Sequence, residues 1–404
     1  MDWTLPPFAL AQPIQWNALL LFGSLLLFGL VGGHIVTKNP WFPRITGYLI
    51  VGFLLGVGGL DLLSGDVLKL ANIFADMAMA LVVYQLGRYV DIGWLRREKW
   101  LLATVVLSAV LCFTFVSGAL IWFGTARVPA LLGGVLAIAT APAVVMVVVR
   151  ELQAEGQVTR RLAAMTALNN FVALLAAYAL LPVVAHESAT PFSTLLAHTL
   201  YSLCGSLVLA YLTYRLMIPL ARLLGRQPSR QFVLVIAVIT LAIGAAHALQ
   251  LPILLTMLIF AIMSKNLDHQ YDLMELEFGV ANELFIVMLF VTIGASIRLS
   301  DLSMVGASVA VLIAARFLAM ACGVFSFAHF AKMKWKQAAL ITLGTLPMTE
   351  AGLGLMQTTA YLYPNTTAEV LPLLAGCLIV LELLGPIATQ FALIKSGESG
   401  REQG

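Results

Sequence analysis

The chain has 404 residues, of which 61% are hydrophobic and only 11% charged, with 32 glycines and a mean hydropathy of +0.96. A soluble domain of this size cannot keep its surface wet with so few charges, which excludes soluble enzymes and binding modules and leaves a polytopic membrane protein. The formal net charge of +3 reports how loops are placed across a bilayer and implies no nucleic-acid partner.

A helical span needs about 20 apolar residues. In chain order such stretches fall at residues 16–36, 45–60, 70–90, 100–124, 129–149, 162–185, 191–214, 231–249, 251–264, 274–297, 303–330, 337–360 and 367–394. That makes thirteen expected spans, of which the second and ninth are short. Residues 1–15 carry no positive n-region and run straight into the first span, so no cleavable signal is expected.

Basic residues collect in cytoplasmic loops. Most of the 23 here sit in alternate loops: Lys38 and Arg44, Arg88 to Lys99, Arg150 to Arg161, Arg215 to Arg230, Lys265, Lys332 to Lys336, and the tail with Lys395 and Arg401. Lys69, Arg127 and Arg298 fall on the other side, and Arg316 falls inside a span. The expected topology in a cell inner membrane is therefore N-terminus outside and C-terminus cytoplasmic.

Cys112, Cys204, Cys322 and Cys377 lie in apolar spans without paired spacing and read as buried free thiols. His34, His198, His247 and His329 are isolated, and no cluster has metal-ligand spacing. No cofactor is implied, and no nucleophile, base and orienting group converge by motif, so the reading is a transporter and not an enzyme.

Two spans are interrupted in the same way, at residues 137–146 (AIATAPAVVM) and 344–352 (GTLPMTEAG). Proline, glycine and hydroxyl residues in mid-span free backbone groups that hydrocarbon tolerates only around a polar site. The breaks are related by an offset: Pro142 and Pro347 lie 205 residues apart, as do Thr46 and Leu251, and Gly87 and Gly294 lie 207 apart. Six spans repeated after one linker span must be inverted in the membrane. The expected organisation is a first repeat over 1–185, a linker span and loop over 186–229, a second repeat over 230–395 and a short cytoplasmic tail over 396–404. Inverted repeats bring the two broken helices together antiparallel, with half-helix dipole ends facing a shared ion site.

Six segments, in order and at matching spans, carry a family resemblance: TGYLIVGFLLG at 46–56, ALVVYQLGRYVDI at 80–92, ATAPAVVMVVVRELQAEGQVTRRL at 139–162, TALNN at 166–170, FVTIGASIRLS at 290–300 and ELLGP at 382–386. The chain resembles the monovalent cation:proton antiporters with the sodium/proton exchanger fold, in particular the bacterial branch of the potassium efflux antiporters. The resemblance implies exchange of Na⁺ or K⁺ for protons and a homodimer embedded in the lipid bilayer. It also implies a moving core formed by spans 4–6 and 11–13. The segment after Lys395 is too short for the nucleotide-binding regulatory domain that potassium efflux relatives carry.

One departure matters more than the match. Relatives place an aspartate at the second position of the sixth-span pair, and this chain has Asn169-Asn170. An amide does not titrate, so Asn170 offers a carbonyl oxygen to a hard cation but carries no proton. Three explanations stay open: a natural member whose proton coupling has moved or vanished, a native aspartate changed to asparagine, or a relative with a different substrate; uncoupled cation uniport and transport of an anionic substrate stand as the alternative functions. Glu350, three residues after Pro347, is the expected replacement proton carrier, against a capping role at a half-helix N-terminus. Arg316 resembles the family's basic residue near the aspartate, with Glu350 and then Glu382 as expected partners. Thr140 and Thr345, beside the prolines, offer hydroxyl oxygens or simply bond back to the helix. Asp76 and Glu283 are weaker candidates, Glu151, Arg160 and Arg161 are read as topology signals, and Gly87 and Gly294 as sites of close helix packing.

Overall fold

The computed structural model describes residues 18–39, 41–63, 66–184, 191–268, 279–297, 299–349, 352, 355–356, 360 and 363–400. Among them the chain is helical throughout: α1 (Ala18–Val36), α2 (Arg44–Leu55), α3 (Asp66–Gly87), α4 (Ile92–Arg97), α5 (Lys99–Trp122), α6 (Arg127–Leu136), α7 (Pro142–Glu151), α8 (Gln157–Val184), α9 (Phe192–Leu224), α10 (Pro228–Ala248), α11 (Ile253–Asn266), α12 (Gly279–Ala295), α13 (Leu299–Ala328), α14 (Trp335–Gly344) and α15 (Pro364–Ser396). The fold is that of an all-α polytopic membrane protein. Seven of the described helices are by themselves long and apolar enough to cross a membrane, and five shorter ones are apolar.

Several expected boundaries move. The second span ends at Leu55 and not at 60, because Gly56 leaves helical backbone geometry and the chain turns through Gly58 and Gly59. α9 and α15 are 33 residues each and overrun the expected spans. Charged residues such as Arg215, Arg222 and Lys395 end a hydrophobic stretch but not a helix, since their side chains reach water while the backbone bonds continue. The cysteine reading holds for Cys112 and Cys377, which are buried, but Cys204 and Cys322 are exposed free thiols on α9 and α13. Those faces are turned outward, where lipid is as good a solvent for a thiol as a protein interior. Nor is His247 isolated: its ring lies 3.1 Å from Asp76, joining α10 to α3.

Glycines set the closest approaches. A Cβ on Gly87 would lie 2.5 Å from that of Ala261, so α3 and α11 meet there, and a Cβ on Gly294 would strike the Leu49 backbone, seating α12 on α2.

Buried apolar residues divide into two clusters. One gathers α1, α2, α3, α10, α11 and α12 with α7, α14, the first half of α8, the second half of α9, the start of α5 and the ends of α13 and α15; the other gathers α6, the rest of α5, α13 and α15, and the second half of α8. The chain passes from one to the other at two places that matter. Ala139 packs in the second cluster and Ala141 in the first; on α8, Ala167 packs in the first and Ala173 in the second. Thr140, Asn169 and Asn170 therefore sit on the seam between two apolar bodies.

Candidate functional site

The first break is made by Pro142. A proline disfavours helical geometry in the preceding residue, and Ala141 is accordingly extended, at φ −66° and ψ 110°. Pro142 then opens α7 at a position where its missing N–H costs nothing. α6 tightens as it ends, with Ile138 and Ala139 donating to carbonyls three residues back at 3.1 and 3.2 Å. The carbonyls of Ala137, Ala139 and Thr140 are left without helical partners. The second break repeats this: α14 ends at Gly344, Leu346 donates to Leu343 at 3.1 Å, and Thr345, Leu346 and Pro347 leave the helix. The two breaks touch, because the Ala141 N–H donates to the Pro347 carbonyl at 3.0 Å.

Arg316, on α13 and only 1% exposed, satisfies most of the freed carbonyls. Its Nε donates to Ala137 at 2.7 Å, one terminal nitrogen to Leu346 at 2.5 Å, and the other to Ala139, Thr345 and Pro347 at 3.0, 2.9 and 3.2 Å. A guanidinium presents five N–H groups in a fixed fork, and here the fork closes the C-terminal ends of two helices at once. Those ends carry the negative pole of each helix dipole, so the buried charge is answered by main-chain oxygens. Arg316 has no carboxylate partner among the described residues.

Asn169 and Asn170 face the first break from α8 and are 0% and 1% exposed. The Asn170 amide nitrogen donates to Thr140 O at 2.5 Å and to Thr166 O at 2.8 Å. Both partners are carbonyls, which only accept, so the orientation of this amide is forced and its oxygen must point the other way. The Asn169 nitrogen reaches the Thr140 hydroxyl at 3.3 Å. The side-chain oxygens of both asparagines are buried and have no hydrogen-bond partner among the described residues. Two buried amide oxygens without a partner, on adjacent residues, are neutral groups of the kind that suit a hard cation.

The structure thus brings together Thr140, Asn169, Asn170, Arg316, Pro142, Thr345 and Pro347. The Thr345 hydroxyl bonds back to Thr342 O at 2.9 Å, and Thr349 is buried just beyond Pro347. Glu382 is buried on α15, one turn before Gly385, which packs on Pro347. Glu350 lies outside the described residues. Glu283 and Glu151 are elsewhere, both paired with Arg44 at 3.1 and 3.7 Å, and Arg161 bonds Glu98 at 3.2 Å. What sequence reasoning missed are main-chain groups, the carbonyls of Ala137, Ala139, Leu346 and Thr166; the only signal for them is the proline that follows a break or the position one turn before Asn170.

A model of the transmembrane sodium/hydrogen exchanger family matches residues 22–395. No curated protein matches the chain. Among solved structures, the chain is similar to the sodium proton antiporter MjNhaP1 from Methanocaldococcus jannaschii in two determinations, one at pH 8 with a TM-score of 0.66 and one from electron microscopy with 0.70. Each shares 17% identity and covers 94% of this chain and 98% of that one, a likeness of fold.

Proposed function

Because the chain belongs to the sodium/hydrogen exchanger family, we propose that it exchanges a monovalent cation, Na⁺ or K⁺, for protons across the membrane in which it is embedded. The single observation that carries a cation site is the pair of buried, unpartnered oxygens of Asn169 and Asn170 beside Thr140, on the seam between two apolar bodies. Thr345 supplies a further oxygen across the crossing. The similar archaeal structures are titled as those of a sodium proton antiporter, which supports the same substrate class here.

Asn170 holds no exchangeable proton, so in this reading Glu350 carries the proton from the second break, and Glu382 and Arg316 compensate charge. Arg316 spends its donors on five carbonyls, which leaves little with which to bind an anionic substrate and favours a cation. Transport proceeds by an elevator-like shift of α5 to α8 and α13 to α15 against the remaining helices, in a homodimer with inverted repeats over 1–185 and 230–395.

A second reading, uncoupled cation transport, is favoured by one observation: no carboxylate among the described residues hydrogen-bonds Thr140, Asn169, Asn170 or Arg316. A flux assay in proteoliposomes separates the two. With an imposed pH gradient, the chain is expected to release lumenal protons when Na⁺ or K⁺ is added, and Glu350→Gln to abolish this. If the parent moves cation without protons and only Asn170→Asp couples them, the uncoupled reading replaces the first.

A further inference from the structure

The loops read as cytoplasmic enclose a cavity of about 460 Å³ where four segments end together. Arg88 follows α3, Arg150 closes α7, Arg160 lies in the first turn of α8 and Lys265 in the last turn of α11, and all four line the cavity. Two carboxylates share it, Asp91 and Glu155. Asp91 is committed to capping α4, accepting from the Trp94 N–H at 2.9 Å. Another anion nearby is committed too: Glu398 accepts from the main-chain N–H groups of Val158 and Thr159 at 2.8 Å each, at the start of α8.

Three guanidinium groups therefore face one cavity with no ion pair to any described carboxylate. Arg88 donates to the Tyr84 hydroxyl and lies over its ring, Arg160 lies 4.4 Å over the Trp94 ring, and burial pulls Arg150 below the ordinary arginine range. Aromatic faces hold the guanidinium stems in place but do not neutralise them. Like charges gathered in a half-buried cavity favour a counter-charge, and the geometry decides its kind. The cavity is far larger than a halide ion, three guanidinium groups line it against two carboxylates, and forked guanidinium groups pair bidentately with phosphate oxygens.

We propose that this cavity is a binding site for a phosphate-bearing anion, either a soluble phosphate or the headgroup of an anionic lipid. The site is separate from the helix crossing and does not depend on what ion the chain transports. Bound phosphate would also remove a positive potential that repels cations from this mouth of the protein.

The test is calorimetric titration of the purified full chain in nonionic detergent at low ionic strength, with no ion gradient. Inorganic pyrophosphate is the titrant in one arm and dihexanoyl phosphatidylglycerol in the other. At least one is expected to saturate at one per chain. Arg150→Gln or Arg88→Gln should weaken it by about tenfold or more, as loss of a charge-assisted contact does. Arg150→Lys, which keeps the charge but loses the fork, should weaken binding less than Arg150→Gln does, and Arg222→Gln, in the last turn of α9 and outside the cavity lining, should retain binding within about threefold. Melting curves identify any variant that fails to fold; Arg160→Gln then takes its place. Saturation by pyrophosphate alone assigns a soluble ligand, and by the lipid alone a headgroup. Saturation by neither at millimolar concentration, or affinity that survives both Arg88→Gln and Arg150→Gln, overturns the proposal.

Discussion

Arg316 and Asn170 solve opposite problems with the same currency of main-chain carbonyls. Arg316 brings a charge into an apolar interior and takes five acceptors to itself; Asn170 brings a neutral amide and takes two. Removing the guanidinium strands acceptors that have no water to turn to. An Arg316→Gln amide has two N–H donors and serves two of the five at most. The Pro347 carbonyl keeps the Ala141 N–H, and each other acceptor left over then costs about 1–3 kcal/mol. The expected outcome is thermal unfolding in detergent at a clearly lower temperature than the parent, with or without Na⁺ or K⁺. Unfolding at the parent temperature would mean that the two breaks are held by something else. At position 170 the chemistry is different: a carboxyl can donate to one of these carbonyls only while it holds a proton, whereas the amide donates to both at every pH.

At the scale of elements, the breaks depend on a close fit behind them. A Cβ on Gly385 of α15 would lie 2.8 Å from Pro347 Cβ and 2.9 Å from its Cγ, and the Pro347 ring cannot swing aside. Gly385→Ala is therefore expected to destabilise by about 1–3 kcal/mol, as overpacking does, and to depress flux, with the loss read from melting and proteoliposome assays in parallel. An unchanged flux with a lowered melting point would place Gly385 in the scaffold alone. The breaks themselves were legible in the sequence because proline leaves a residue-level mark, and so were most spans. Three features were not legible. Arg316 bonds carbonyls, which every residue possesses, so no letter announces its partners. The cap of α8 comes from Glu398, 240 residues away from Val158, whereas capping rules read only neighbours. His247 and Asp76, 171 residues apart, meet only because α10 lies on α3. Glu350, prominent in the sequence, lies outside the described residues.

For the whole molecule, the exposed apolar side chains of α1, α9 and α10, such as Leu19, Leu207 and Leu241, mark faces that belong in lipid or against another copy. The distribution of arginine and lysine makes a prediction about orientation. A fluorescent protein fused after Gly404 is expected to be bright, and alkaline phosphatase fused at the same place inactive, since basic loops collect on the cytoplasmic side and the tail is expected to lie with them. An active phosphatase would reverse the topology and with it the side on which the arginine-lined cavity opens.

The way Arg316 is held has a meaning for how such a protein changes over generations. Its charge is balanced by the backbone of two helix ends and not by the side chain at position 170, so the hold on Arg316 does not change with the residue that stands there. An aspartate there would leave Arg316 anchored and would forfeit the amide's bonds to the Thr140 and Thr166 carbonyls. A change at that position thus alters the ion chemistry of the crossing without unseating the charge that ties its two helix ends together.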